Sequence, residues 1–205
     1  MADVTKSGDQ KDEWAQIAAA AIRLGAEFTF TDDLGGVLEI FVAHDSVNAH
    51  ANGAMLVVVV NDQTSGNDKG WIPLESFNGI RSTPATAVKV DVDVECAATA
   101  TQLKVASTGG GDEFETKMDR YFVKNNTIAN SEIVRNNGFA NDDYITLLRG
   151  LTNTQETTAD VFNIVYSWLC RVPQEFRRAQ VIIWNDDADC TICSMTREAK
   201  ATDIA

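Results

Sequence analysis

The segment from Ala87 to Cys96, AVKVDVDVEC, constrains the fold more than any other stretch, because apolar and charged residues alternate along it. Valine occupies every second position from 88 to 94, and each valine is followed by a lysine, an aspartate or a glutamate. Successive side chains of a β-strand point to opposite faces, so this pattern predicts a strand with one buried and one solvated face. A chain that contains such a segment is expected to form antiparallel sheets.

Further strands are predicted on both sides of this segment. EFTFTDD begins at Glu27 with phenylalanine at alternate positions, and VLEIFVAH follows at Val37–His44. AMLVVVVND, residues 54–62, is apolar on both faces, which is typical of a central strand in a sandwich. Near the end of the chain, AQVIIWND (179–186) and DCTICSMTRE (189–198) are predicted to form a closing hairpin. The predicted fold class is therefore mainly β.

The order of these segments predicts an antiparallel β-sandwich that is interrupted by a smaller unit. The sandwich is assigned to residues 27–96 and 159–199, the inserted β module to residues 97–158, and a short tail to residues 200–205. Within the module, Ile133 and Val134 lead into a predicted Asn136-Asn137-Gly138 turn, and residues 143–148 return as the second strand of a hairpin.

The first 26 residues are predicted to form a separate arm or helix. Trp14, Ile17, Ala18, Ala21 and Ile22 recur at spacings of three and four, which indicates one apolar face of a helix. A helix of this length is marginal in water without a packing surface. We therefore expect Trp14, Ile17 and Ile22 to be buried against a neighbouring subunit.

The charge of the chain limits its partners. Thirty acidic against 17 basic residues give a formal net charge of -13, which repels nucleic acid and anionic lipid. No run of 18 uncharged apolar residues occurs, and the first residues, MADVTKSGDQKDEW, lack the apolar core of a secretory signal. We expect a soluble protein with neither a nucleic-acid nor a membrane partner, and with cysteines that remain thiols.

Residues capable of chemistry are present, but their spacing favours structural roles. Cys190 and Cys193 form a C-x-x-C without a second ligand pair spaced for zinc. His44 and His50 flank Asp45 and Ser46 in AHDSVNAH, a polar stretch that is typical of a loop. We therefore predict no catalytic residue, no metal and no cofactor, and a protein that is not an enzyme.

Two other acidic groupings were considered as sites. The loops at residues 61–68 and 185–189 offer oxygen ligands for calcium, but neither matches an EF-hand, and turn formation explains them better. Asp91 and Asp93 share a strand face, where an exposed row of carboxylates is more often solvated surface than a glycosidase pair.

Residues 125–153, NNTIANSEIVRNNGFANDDYITLLRGLTN, carry a family resemblance. The short sequences ANSEIVR, ITLL and GLTN, followed by VFNI at 161–164, resemble sequences in a group of virion proteins from tailed bacteriophages and prophages. The resemblance implies a capsid decoration or cement protein that binds the outer surface of a phage head. Its implied partners are the major capsid protein and copies of itself, its implied location is the virion, and its N-terminal segment would be an extended arm lying on a neighbour.

Two alternatives remain open at this point. A tail, neck or fibre component of the same particles would have the same sequence features. A carbohydrate-binding or receptor-binding sandwich would use Trp71, Trp168 or Trp184 to stack on sugar rings, although tryptophans in strands more often pack in the core. A coplanar, solvent-facing pair of aromatic rings would favour the sugar-binding alternative.

Overall fold

The computed structural model describes residues 14–30, 35–45, 54–64, 70–78, 89–106, 119–141 and 144–199. These residues form two compact units. The first comprises residues 1–42, 50–82 and 166–205, and the second comprises residues 43–49 and 83–165. In chain order the strands are β1 (Ala15–Ile17), β2 (Ala21–Thr29), β3 (Gly36–His44), β4 (Ala54–Asn61), β5 (Ile72–Asn78), β6 (Lys89–Asp91), β7 (Gln102–Lys104), β8 (Arg120–Lys124), β9 (Glu132–Asn141), β10 (Tyr144–Leu147), β11 (Asp160–Asn163), β12 (Tyr166–Val172), β13 (Arg178–Asn185) and β14 (Ile192–Glu198).

The first unit is a sandwich of two four-stranded sheets. One sheet has the order β1-β14-β3-β12 and the other has the order β2-β13-β4-β5. The pairs β1-β14, β3-β12, β2-β13, β13-β4 and β4-β5 are antiparallel. Along the chain, every connection crosses from one sheet to the other except the one from β4 to β5. Eight strands with this order and these crossings define a jelly roll. The predicted mainly β fold class, an antiparallel sandwich, is confirmed.

The core of the first unit lies between the two sheets. Every second residue of the long strands contributes to it, as expected for a pleated strand with one inward face. The buried cluster consists of Ile17, Phe28, Phe30, Leu38, Ile40, Val42, Ala54, Leu56, Val58, Val60, Cys170, Val172, Ala179, Val181, Ile183, Cys190 and Ile192.

All strands of the second unit lie in the connection between β5 and β12, and they form one six-stranded sheet. The order is β6-β11-β8-β9-β10-β7. Val92 and Val105, directly after β6 and β7, form an antiparallel bridge, and the Asp93 N–H donates to the Lys104 carbonyl at 3.1 Å. These bonds join the two ends of the sheet, which closes on itself around its own apolar cluster. Closure leaves fewer unpaired strand edges on this unit.

The predicted boundaries of the insertion were wrong. Residues 89–96 and 160–164 were assigned to the sandwich, but β6 pairs with β11, and β11 pairs with β8, inside the second unit. The alternating segment is also shorter than its pattern indicated. Val90 and Val92 are buried, whereas Val94 is 45% exposed because the chain bends at residues 93 and 94.

The predicted N-terminal helix was also wrong, because the segment is extended within the chain's own sheets. β1 pairs with β14, with Ile17 opposite Ile192, and β2 pairs with β13. The two strands are joined by a turn at residues 18–20, where Ala20 has a φ of 53°. Alanine-rich sequence with helical spacing thus forms strands, since sheet partners elsewhere in the chain override local helix propensity.

Two turns differ from their predictions. The hairpin of β9 and β10 exists, but Asn136-Asn137-Gly138 lies within β9, where the pairing with β10 is irregular and Gly138 has a φ of 120°. The strands β13 and β14 do not form a closing hairpin, because they belong to opposite sheets. The residues predicted to form turns therefore lie at other irregular points of the backbone. In the first case the irregularity is a bulge within a strand, and in the second it is a crossing between sheets.

Candidate assembly surface

The outer face of the β2-β13-β4-β5 sheet is rich in large apolar side chains. Val58 and Val181 point into the core, so their sequence neighbours on β4 and β13 point outward. Ile22 and Leu24 on β2 are 64% and 65% exposed, and Trp184 on β13 is 41% exposed. The set of large apolar residues on this side, here called the apolar sheet face, is Ile22, Leu24, Met55, Val57, Val59, Ile182 and Trp184.

The strand register makes the apolar sheet face continuous. Trp184 lies opposite Ile22 on one side and opposite Met55 on the other. In the same way, Ile182 lies between Leu24 and Val57. Directly paired residues of neighbouring strands are close enough for their side chains to touch. The three strands therefore present adjacent apolar rows, and contiguous apolar surface of this kind is typical of interaction sites.

One end of the apolar sheet face carries a paired charge. Arg178, whose side chain is 5% exposed, holds Glu27 at 3.0 Å and donates from Nε to the Gln63 carbonyl at 2.8 Å. The same guanidinium lies over the Trp71 ring, 5.0 Å from its centroid. The Glu27 carboxylate at this end of the face is thus paired with a buried cation.

The predicted interface residues Trp14, Ile17 and Ile22 have different environments. Trp14 is 8% exposed and Ile17 is 2% exposed, and Ile17 belongs to the core cluster of its own chain. Neither side chain is free to anchor a neighbouring subunit, so the prediction was wrong for both. Ile22 lies on the apolar sheet face and remains exposed.

A buried asparagine ties the N-terminal segment to the sandwich. The Asn185 side-chain amide donates to the carbonyls of Ile17 at 3.3 Å, Ala18 at 3.0 Å and Cys190 at 2.8 Å. Asn185 is fully buried, so these bonds satisfy carbonyls that would otherwise be costly to bury. The contacts explain why β1 belongs to the first unit.

The tryptophans proposed as sugar platforms are mainly packing residues. Trp168 and Tyr166 stack with ring centroids 5.5 Å apart and planes 6° apart, and Phe77 lies 5.3 Å from Trp168. These three rings are half-buried and pack against the core between the sheets. Trp71 is half-buried beneath Arg178, and Trp184 belongs to the apolar sheet face. The coplanar pair therefore faces inward rather than toward solvent.

All four cysteines are buried thiols. Cys190 is part of the sandwich core, and Cys193 on β14 pairs in register with Gln16. Burial, together with a hydrogen bond to the Glu75 carboxylate and its charge, raises the pKa of the Cys170 thiol to about 12. A thiol in this environment stays protonated and unreactive.

Two further groupings of residues capable of chemistry are the histidine-containing stretch at residues 44–50 and the acidic loop at residues 185–189. His44 is buried at the end of β3, while Ser46 and His50 lie outside the described residues. Among the residues that the structure describes, no three His, Cys, Asp or Glu side chains are placed to hold a metal ion. In the acidic loop after β13, Asp187 accepts hydrogen bonds from the backbone N–H groups of Asp189 and Cys190, both at 2.9 Å.

Two of the short sequences that carry the phage resemblance, ANSEIVR and GLTN, meet in one hydrogen-bonded cluster of the second unit. The Glu132 carboxylate accepts from the backbone N–H of Thr152 at 2.9 Å and of Asn153 at 3.1 Å. It also accepts from the Gln155 side chain at 2.7 Å, and Gln155 in turn accepts from buried Asn125 at 3.1 Å. These polar residues therefore brace neighbouring loops of the closed sheet.

Sequence reasoning missed the apolar sheet face, although its signal was present. Residues 54–60 are apolar on both faces, which was interpreted as burial on both sides of a central strand. β4 is indeed internal to its sheet, but Met55, Val57 and Val59 are only half-buried. A strand that is apolar on both faces can present one of them to a partner as well as to a core.

Comparisons with known proteins give little information. No family model matches the chain, and no curated protein matches it. A structure titled "Structure of infectious bursal disease virus Gt strain" aligns over 100% of this chain and 84% of that chain, with 9% sequence identity and a TM-score of 0.20. A likeness at this TM-score supports no argument, so the fold assignment depends on strand order alone. Within the described part of the chain, none of the helices has the length and apolar character to cross a membrane.

Proposed function

We propose that this protein is a structural subunit of a virus particle. The observation that carries the proposal is the jelly-roll order of the first unit combined with an exposed apolar face on one of its sheets. Jelly rolls are used by viral capsid proteins, by lectin domains and by cupins. Large exposed apolar patches are typical of surfaces that bind other proteins.

The interior of the sandwich supports an assembly role over small-molecule binding. Apolar side chains from both sheets fill the space between them, and half-buried Tyr166, Trp168 and Phe77 pack against the same cluster. Ligand sites are usually concave and combine an apolar wall with a few polar groups. The apolar sheet face of the first unit is instead broad and exposed, which suits a protein partner.

The resemblance of residues 125–153 to tailed-phage virion proteins supports a finer proposal. The protein decorates the outer surface of a phage head, with the major capsid protein and copies of itself as partners. A net charge of -13 suits a position away from packaged DNA, because the chain and the nucleic acid repel each other. A tail, neck or fibre position, with binding to a receptor or carbohydrate, is the alternative that the experiment must distinguish.

Cryo-electron microscopy of purified particles tests the proposal. Particles from a host that expresses the tagged full-length chain are purified by gradient, and the tag is located by labelling and by difference density against untagged particles. Density distributed over the head is the expected result. Density at the tail or neck would support the alternative location, and absence of the polypeptide from particles would overturn the virion assignment.

A further inference from the structure

We propose that the apolar sheet face is a self-association interface, in which two copies pack their β2-β13-β4-β5 sheets against each other about a two-fold axis. The partner of this surface of the proposed structural subunit is thus a second copy of the chain. This interface requires only the geometry of the first unit, so it can hold or fail independently of the location in a virion.

The area of the apolar sheet face fits the apolar part of a protein interface. Ile22, Leu24 and Trp184 are 64%, 65% and 41% exposed. At roughly 200 Å² for a fully exposed large side chain, these three alone expose roughly 350 Å². The half-buried residues of the face add to this value. A standard interface buries about 800 Å² per partner, of which somewhat more than half is apolar.

The charge distribution favours a second copy over a basic partner. The chain carries a net charge of -13, yet the outward positions between residues 55 and 59 of β4 and between residues 180 and 184 of β13 hold no carboxylate. Glu27, at the end of the face, is paired with Arg178 at 3.0 Å. Two strongly acidic copies can therefore meet at this face without placing like charges in contact, and a partner selected by its positive charge would find no complement there.

The geometry of the sheet is self-complementary. Trp184 lies on β13, the middle strand of the face, between Ile22 and Met55. Large aromatic residues often dominate the binding energy of an interface. A face that is apolar across three strands can pack on its own copy as two sheets pack in a sandwich, about 10 Å apart. A two-fold contact of this kind closes after two copies.

A matched pair of substitutions tests the interface in the full-length protein. Leu24→Glu introduces a charge on the apolar sheet face, and Leu169→Glu introduces the same charge at a leucine that is 55% exposed on β12, in the other sheet. Sedimentation velocity over a wide concentration range measures association. We expect the wild type to associate, Leu24→Glu to weaken association by at least about 30-fold, as for a hot-spot residue, and Leu169→Glu to behave as the wild type.

A cysteine variant tests the two-fold arrangement with a readout that does not depend on weakened association. Ile182 lies between Leu24 and Val57 near the middle of the face, and the four native cysteines are buried. A bismaleimide reagent that spans about 10 Å, the separation of packed sheets, should cross-link Ile182→Cys into a dimer but should leave the wild type unlinked. Circular dichroism and thermal melting must show that each variant is folded.

Three results would overturn the interface. These are a wild-type protein that stays monomeric at the highest concentration, equal association of the Leu24→Glu and wild-type proteins, or equal weakening by both glutamate substitutions. Failure of Ile182→Cys to cross-link in an associating protein would overturn a two-fold arrangement in which the middles of the two faces meet. If the protein is present in particles but is monomeric, only the self-association interface is refuted. If the protein is dimeric but is absent from particles, only the proposed function is refuted.

Discussion

Cys170 is a buried residue whose protonation couples the stability of the sandwich to pH. The residue lies on β12 and is fully buried, and its thiol is hydrogen-bonded to the Glu75 carboxylate of β5 in the opposite sheet. Burial is the larger cause of its raised pKa, and the hydrogen bond and charge of Glu75 act in the same direction. The folded protein therefore holds this proton more tightly than the unfolded chain does.

We predict that the free energy of unfolding depends on Cys170 at alkaline pH. Its pKa is raised from 9.0 to about 12, so its contribution is complete below pH 9.0 and is lost as pH rises toward 12. Denaturant titrations at several alkaline pH values should show a smaller decline for Cys170→Ala than for the wild type. Glu75→Gln should retain most of the wild-type decline, because burial is unchanged. Equal declines for Cys170→Ala and the wild type would contradict the prediction.

At the scale of elements, β1 is a short edge strand that completes the core of its own chain. It adds Ile17 to the buried cluster and pairs with β14, and buried Trp14 precedes it directly. If residues 1–26 formed the separate arm or helix that the sequence predicts, their deletion would be expected to leave a folded protein. The structure contradicts the reason for that expectation, because such a deletion removes β1 and most of β2 from two sheets.

We predict that deletion of residues 1–17 destabilises the first unit. Full burial of Trp14 and Ile17 contributes roughly 1.5–3 kcal/mol each, and the deletion also exposes the edge of β14. Chemical denaturation should show a loss of several kcal/mol, of the order of 3–6 by the same estimate. Deletion of residues 1–13 is the control, since it keeps both side chains. If both deletions reduced stability equally, β1 would not be the stabilising element.

At the scale of the molecule, the chain consists of two units with separate cores, and the second is inserted in the first. The inserted unit begins with β6 and ends with β11, and these strands pair with Lys89 opposite Phe162. Directly paired residues lie about 5 Å apart. The two ends of the inserted unit are therefore close together, which is the arrangement that permits one domain to be inserted into another.

We predict that residues 83–165 fold on their own. The closed sheet and its apolar cluster are formed within this range, and the Glu132, Asn125 and Gln155 hydrogen bonds are internal to it. The isolated fragment should give a β-type circular dichroism spectrum, dispersed amide resonances and a cooperative thermal transition. Glu132→Ala in this fragment should lower the transition temperature, because it leaves backbone N–H groups of residues 152 and 153 without their acceptor. A fragment with the spectrum of an unfolded chain would contradict the prediction.

The sequence by itself determined the class of fold and most of the strands. Two local patterns indicate whether one or both faces of a strand are apolar. They are the alternation at Val90 and Val92 and the long apolar runs at β3, β4 and β13. The pairing of β9 with β10 also followed from adjacent segments. The presence of an inserted β unit could be inferred because its strands are contiguous in the chain.

Only the tertiary structure decided which strands pair across long separations and which apolar faces remain exposed. Residues 14–22 have helical spacing, but β14 and Asn185, about 170 residues later, hold them extended. The border of the insertion depends on the pairing of β6 with β11, and the apolar sheet face depends on the alignment of β2, β13 and β4. A sequence pattern records the polarity of each side chain, whereas the hydrogen-bond partner of a strand is chosen by the whole fold.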